Sequence, residues 1–384
     1  MNHEPHETAQ HEDDACRCQA PHAPAHDGAS APSPGVSRGD LLRRSAVGLA
    51  LPAGLALAGQ PVARVLAGRD TSATTYDPVP AAAKGPAIPS KGYLVQQIGA
   101  GLYHLTDGLY QMMFLTTGQG VIAVDAPPTI GHNILRAIGE VTSEPVTHVV
   151  YSHVHADHIG AAVLYPHDAV RIAHTETARL LRRVNDPNRP LPTHTFQDHY
   201  TLRVGDQVLQ LDYKGPNHSP DNIFIHAPRQ KVLMLIDIVF PGWTPFRNLA
   251  ASQDIPGWIA AHEQALTYDF QTLVSGHLTR LGTRQDVVTQ REYVQDLAAN
   301  AQAALVGVDF GAIYQSVGPR NPGNAWALFR AYLDAVSQQA ADTTLRKWRG
   351  RLGAVDVFTF DSAYTMAESL RIDYGILGPF GIAK

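Results

Sequence analysis

Ser152-His153-Val154-His155-Ala156-Asp157-His158-Ile159-Gly160 is the stretch from which the fold can be read. An apolar run over 147–151 leads straight into it, which predicts a buried strand emptying into a polar loop. Alternate residues at a strand end face the same side, so His153 and His155 can converge on one point. The turn beyond directs Asp157 and His158 at a neighbouring position. Three imidazoles and a carboxylate this close are costly to bury without a shared cation. Imidazole with carboxylate suits zinc, with iron or manganese as alternatives.

Outward from this stretch the chain reads as layered α/β. Short apolar or alternating runs at 94–99, 102–106, 109–115 and 121–125 predict consecutive antiparallel strands. Further strands are expected at 146–152, 170–173, 199–204, 207–213, 223–226 and 231–236. Helical spacing appears at 130–141, 175–184 and 257–268. The last hundred residues carry helical spacing at 285–305 and 325–348, broken by Gly318-Pro319 and Asn321-Pro322-Gly323. Strands with helices inserted at intervals argue for a sandwich of sheets and helices.

The N-terminal part differs in kind. Residues 1–35 are polar, rich in His, Ala and Pro, and unable to build a core. The only two cysteines, Cys16 and Cys18, lie there, so the body has no thiol for a disulfide or a metal. Arg43-Arg44 followed by the apolar run 46–58 has the order of a secretory signal and resembles a twin-arginine signal, although Gly39 breaks the usual motif register. The expectation is export through the twin-arginine machinery to a periplasmic or secreted location. Residues 1–68 are therefore read as a disordered arm with its signal, and the proline-bearing stretch 69–92 as a linker. Residues 93–284 are read as the main domain, and 285–384 as a helical extension packed on it. The formal charge of −5, with no basic stripe, excludes a nucleic-acid partner. A homodimer surface on the extension is left open.

The His-x-His-x-Asp-His pattern at 153–158 resembles the signature of the metallo-β-lactamase superfamily, and the resemblance runs from about Tyr93 to about Gly282. Other segments occur in the family's order. Val121-Ile122-Ala123-Val124-Asp125 is similar to the strand whose terminal Asp orients the metal loop. Gly215-Pro216-Asn217-His218 is similar to the loop supplying a third histidine. The run 231–236 ends in Asp237, and Ser275-Gly276-His277 closes another apolar strand. The resemblance implies a four-layer αβ/βα sandwich with two divalent metals in the cleft between its sheets. It divides the ligands into His153, His155 and His218 for the first metal, and Asp157, His158 and His277 for the second, with Asp237 and a hydroxide bridging both. Two cations sharing one water bring its pKa down to about 7, which gives a nucleophile at neutral pH. Asp157 is the candidate to orient that nucleophile or pass a proton.

On substrate, the resemblance points away from β-lactams. Asp237 stands where those enzymes carry a cysteine ligand, and Phe240 where they often carry a lysine. The expected activity is hydrolysis of an ester, lactone or related carbonyl bond in a small molecule with an apolar portion. The aromatic stretch 240–246 is a candidate pocket wall. No Lys/Arg cluster is seen beside the ligands, and Arg247 and Arg280 look isolated. The tyrosine that lactonases of the family often carry in the pocket cannot be placed. The alternatives are a β-lactamase, a glyoxalase II-like thioesterase, and an iron-dependent oxidoreductase resembling a sulfur dioxygenase.

Overall fold

Strand pairing starts from the alternation of apolar side chains. The computed structural model describes residues 75–381. A seven-stranded sheet comprises β1 (Leu94–Gly99), β2 (Leu102–Thr106), β3 (Gln111–Thr116), β4 (Val121–Val124), β5 (Val146–Val150), β6 (Val170–His174) and β7 (His194–Phe196), in that spatial order. β1 to β4 run antiparallel, and β4 to β7 run parallel. A five-stranded sheet has the order β12-β11-β10-β9-β8, with β8 (His199–Val204), β9 (Gln207–Asp212), β10 (Phe224–Ala227), β11 (Val232–Met234) and β12 (Thr272–Val274).

On β3, Met113 and Leu115 point between the sheets, where they meet Leu209, Leu211, Ile225 and Met234. Met112 and Phe114 point the other way, toward α1 (Asn133–Val141) and α3 (Thr175–Val184), which supply Ile134, Ile138, Leu180 and Leu181. The outer face of the second sheet, with Phe224, Leu233 and Leu273, is covered by α4 (Ile255–Ala265) and by the C-terminal helices. Helix, sheet, sheet, helix make four layers, the αβ/βα sandwich expected. Between β5 and β6, the short α2 (Ala156–Ile159) holds Asp157 and His158.

The extension consists of α5 (Arg284–Gly307), α6 (Phe310–Val317), α7 (Ala325–Trp348) and α8 (Val355–Ile372). Tyr293, Leu297, Val336, Trp348 and Met366 join the same apolar cluster as Phe224 and Trp258. The extension therefore closes the outer core of the second sheet. No helix among the described residues is long and apolar enough to cross a membrane.

The stretch read as a linker is, from residue 77 onward, laid against the body. Ala83 is buried and its carbonyl accepts a hydrogen bond from Trp243 Nε1 at 2.9 Å, while Asp77 pairs with Arg349. Proline and alanine here mark an extended strap with few side-chain contacts of its own. The N-terminal arm, Cys16, Cys18 and Arg43-Arg44 lie outside the described residues.

Candidate metal centre

The site forms where β5, the loop before β10, β11 and β12 end side by side between the two sheets. Asp125, at the end of β4, is fully buried with φ 66° and accepts the backbone N–H of Ser152 at 2.7 Å. Burial pushes its carboxyl up to about 6. This bond fixes the point where the strand empties into the histidine loop. Ser152, also fully buried, is 2.9 Å through Oγ from Nδ1 of His153. If the hydroxyl accepts from Nδ1–H, the Nε2 lone pair of His153 faces the site.

One ligand atom each from His153, His155, His218 and Asp237 lie within 4.8 Å of one another, and so do those of Asp157, His158 and His277. All seven residues singled out in the sequence are thus brought together. Asp237 lies between the groups. Its Oδ2 is 3.1 Å from Nε2 of both His218 and His158, and its Oδ1 is 3.0 Å from Nε2 of His277. His218 Nε2 and His155 Nδ1 are 2.9 Å apart. Donors around a tetrahedral zinc stand about 3.3 Å from each other, so these spacings suit ligands sharing a cation.

Orphaned atoms test the fit. Nε2 of His153, His158 and His277 and Oδ1 of Asp237 are buried without a well-aligned hydrogen bond, although partners stand close. The protein's own charges leave the cluster unbalanced. Burial, reinforced by neighbouring imidazoles, holds His153 well below the usual histidine range and His155 down to about 4. Burial opposes charge on His158 too, but Asp237 and Asp157 outweigh it and hold this ring up to about 9. Asp237 is also buried, yet His158 and His218 keep its carboxyl well below the ordinary range. Five imidazoles and two carboxylates in this state fit divalent cations, whose uptake would displace the His158 proton.

Asp237 has φ 59°, a costly conformation for a non-glycine residue. Its loop is clamped from behind. Trp258 Nε1 donates to the Asp237 carbonyl at 3.0 Å. Gln290, on the extension helix α5, accepts the N–H of Phe240 at 2.8 Å and donates to the Ile238 carbonyl. Gly276 is required by proximity, because a Cβ there would stand 2.6 Å from His158 and 2.8 Å from Asp237.

The edge of the site is open where the Asp157 side chain is 43 % exposed, against 2 % for Asp237. Two features at this edge escaped the sequence reading. Tyr110, just before β3, donates its hydroxyl to Asp157 Oδ2 at 3.3 Å and packs its ring 4.7 Å from that of His277. Burial and the charge of Asp157 push this phenol up to about 12, so it stays a donor. It was hidden in an apolar run, and nothing local separates it from a core aromatic. Arg183 and Arg189, which the sequence reading did not single out, line a cleft beside His155 and Asp157. They stand 26 residues and more beyond Asp157 in sequence and arrive through α3. Arg247 and Arg280 are engaged with Asp361 and Asp286. Within the aromatic stretch, Phe240 and Phe246 flank His277 at 6.0 and 5.4 Å, while Trp243 turns away to the 77–92 strap. His194 and His199 fall on β7 and β8, and His199 pairs with Asp212.

The family model of the metallo-beta-lactamase superfamily matches residues 106–277. The 2,4-dinitroanisole O-demethylase subunit alpha of Nocardioides sp. (strain JS1661) is 28% identical over 213 residues, 54% of this chain and 64% of its own length. A metallo-beta-lactamase type 2 from Bacillus cereus is 24% identical over 123 residues, 32% of this chain and 47% of its own. The chain thus spans less than two thirds of the length of these curated relatives. A solved metallo-beta-lactamase from Pontibacter korlensis aligns with 52% of this chain and 97% of its own at 22% identity, with a TM-score of 0.45. The matched segment 106–277 runs from the end of β2 to the last of the seven donors, and over it the chain matches the metallo-β-lactamase superfamily.

Proposed function

We propose that the protein is a binuclear metal-dependent hydrolase acting on an ester or lactone with an apolar portion. The observation that carries this reading is the pair of donor groups meeting at Asp237 with an open edge at Asp157. His153, His155 and His218 would hold one cation, Asp157, His158 and His277 the other, and Asp237 both. When bound, such cations would supply an activated water near neutral pH and polarisation of a carbonyl oxygen. The remaining work belongs to the chain. Phe240 and Phe246 give the His277 side an apolar wall that turns water away from the substrate's carbon skeleton. Asp157, steadied by Tyr110, is the exposed carboxylate able to hold a proton from the attacking water and deliver it to the leaving oxygen.

A second reading is hydrolysis of an activated aryl ether. It is favoured by the relative named as a 2,4-dinitroanisole O-demethylase subunit, and it likewise expels an oxygen leaving group. The test is turnover by the zinc-, manganese- and iron-loaded protein on aryl esters, lactones, thioesters, β-lactams and 2,4-dinitroanisole. Ester or lactone cleavage is the expected result. Cleavage of another class alone, or oxygen consumption by the iron form without hydrolysis, would sink the ester reading.

Export belongs to the same proposal. Replacing Arg43 and Arg44 by lysine should retain the precursor in the cytoplasm. Fractionation that finds unchanged delivery would count against a twin-arginine route.

A further inference from the structure

A cleft of about 340 Å³ opens beside the donor cluster, and His155 and Asp157 form one of its walls. The other wall is the last turn of α3 with the segment that follows, where the exposed Val184 offers apolar surface and Arg183 and Arg189 bring positive charge. The two arginines differ in what they are free to do. Arg189 is spent on the fold. It pairs with Asp186 at 2.8 Å and donates to the Val154 carbonyl at 2.7 Å, which ties its segment to the histidine loop. Arg183 is exposed and makes no hydrogen bond or ion pair among the described residues. Glu176, about two turns earlier on α3, feels the charge of Arg183 but is held by Arg179 through both oxygens. Asp157, the acid of the cleft, is turned toward His158 at 3.5 Å and toward Tyr110.

We propose that this cleft receives an anionic group of the substrate, a carboxylate borne on a short apolar chain, and that Arg183 is its counter-charge. The inference rests on the hydrolase reading above and narrows its substrate class. A chain lying along Val184 carries its reacting carbonyl toward His155 and Asp157 and leaves its charged end at Arg183. The guanidinium suits a carboxylate because its planar fork can make two parallel N–H···O bonds. Arg182 and Arg183 both stand in the last turn of α3, where a cation is favoured by the helix dipole alone. Arg183 lines the cleft and Arg182 does not, so the pair separates recognition from a general helix-end role.

The probes are mono-4-nitrophenyl glutarate and 4-nitrophenyl valerate, which differ in a terminal carboxylate against a methyl. The readout is the ratio of kcat/KM for the charged ester over the neutral one, in the metal-loaded protein. R183A should lower this ratio by about two- to fivefold, the worth of one exposed charge pair, and R183E should lower it further. R182A should leave it unchanged. Added salt should shrink the ratio in the wild type and change it little in R183A. An unchanged ratio in R183A, or an equal fall in R182A, would overturn the assignment. Should neither ester be cleaved, the hydrolase reading fails on these substrates and the cleft is tested by binding. Calorimetric titration with glutarate and butyrate should then show glutarate favoured in the wild type and the preference lost in R183A. Equal affinities in the wild type would refute the cleft assignment.

Discussion

Asp237→Ala is expected to lower the metal content from close to two ions per chain to one or fewer, and turnover by about a thousandfold or more. The expectation follows from its place. Among the described residues, Asp237 is the one whose two oxygens approach both groups, Oδ2 toward His218 and His158 and Oδ1 toward His277. Its removal also takes away what holds the proton on His158. In the metal-free wild type that ring is held up to about 9, chiefly by Asp237 acting against burial. Without the carboxylate, burial prevails and the ring goes neutral. Its raised pKa means that the His158–Asp237 pair contributes stability to the metal-free fold that is complete below the ordinary histidine value of 6.5 and lost as pH rises through about 9. A cation competes with that proton, so metal affinity in the wild type should rise with pH toward about 9, and this part of the dependence should vanish in Asp237→Ala. Elemental analysis at several pH values reads both effects. One metal in both proteins would defeat the bridging assignment.

How much of this was legible in the sequence depends on the distance over which each feature is determined. The 153–158 motif, Asp237 and His277 are readable because each follows directly on an apolar run, whereas His218 sits in the polar 215–222 loop and is readable only through that loop's resemblance to the family's. β1, β2 and α7 keep the boundaries read from the sequence. α6 and α8 were not anticipated. α6 is short and buries only Ile313 and Val317, while the buried face of α8 includes Thr359, Ser362 and Ser369, whose hydroxyls blur its apolar stripe. Tyr110 and Arg183 were missed for a different reason. Each reaches the site through tertiary structure alone, Tyr110 by the pairing of its segment with His277, Arg183 by the packing of α3 on the first sheet. Gln290 is the clearest case. Nothing in its own segment tells it from any polar residue of a long helix, yet it is buried and binds both Ile238 and Phe240, so the extension steadies the loop on which Asp237 sits.

His218→Ala and Ser152→Ala separate the proposed chemistry from a serine nucleophile. His218 stands on the 215–222 loop with its ring nearly buried and its Nε2 2.9 Å from His155 and 3.1 Å from Asp237. Taking it away removes one imidazole of three from the first group, so metal affinity and activation of the attacking water should fail together. The expected loss of turnover is about a thousandfold, with metal content reduced in parallel. Chelation should abolish activity in the wild type, and added zinc or manganese should restore it. Ser152 is fully buried, 2.9 Å from His153 Nδ1, with its backbone N–H held by Asp125. A hydroxyl in that position orients a ligand and has no path to a substrate. Its loss should leave the metals in place and cost at most about the ten- to hundredfold typical of a group that orients a metal ligand. A serine nucleophile demands the reverse order, because Ser152→Ala would then eliminate the acyl-enzyme while His218→Ala spared it. Metal content and turnover of the two variants, measured on the best ester or lactone, decide between them. An inactive Ser152→Ala protein with its full complement of metal would end the metal-hydrolase mechanism.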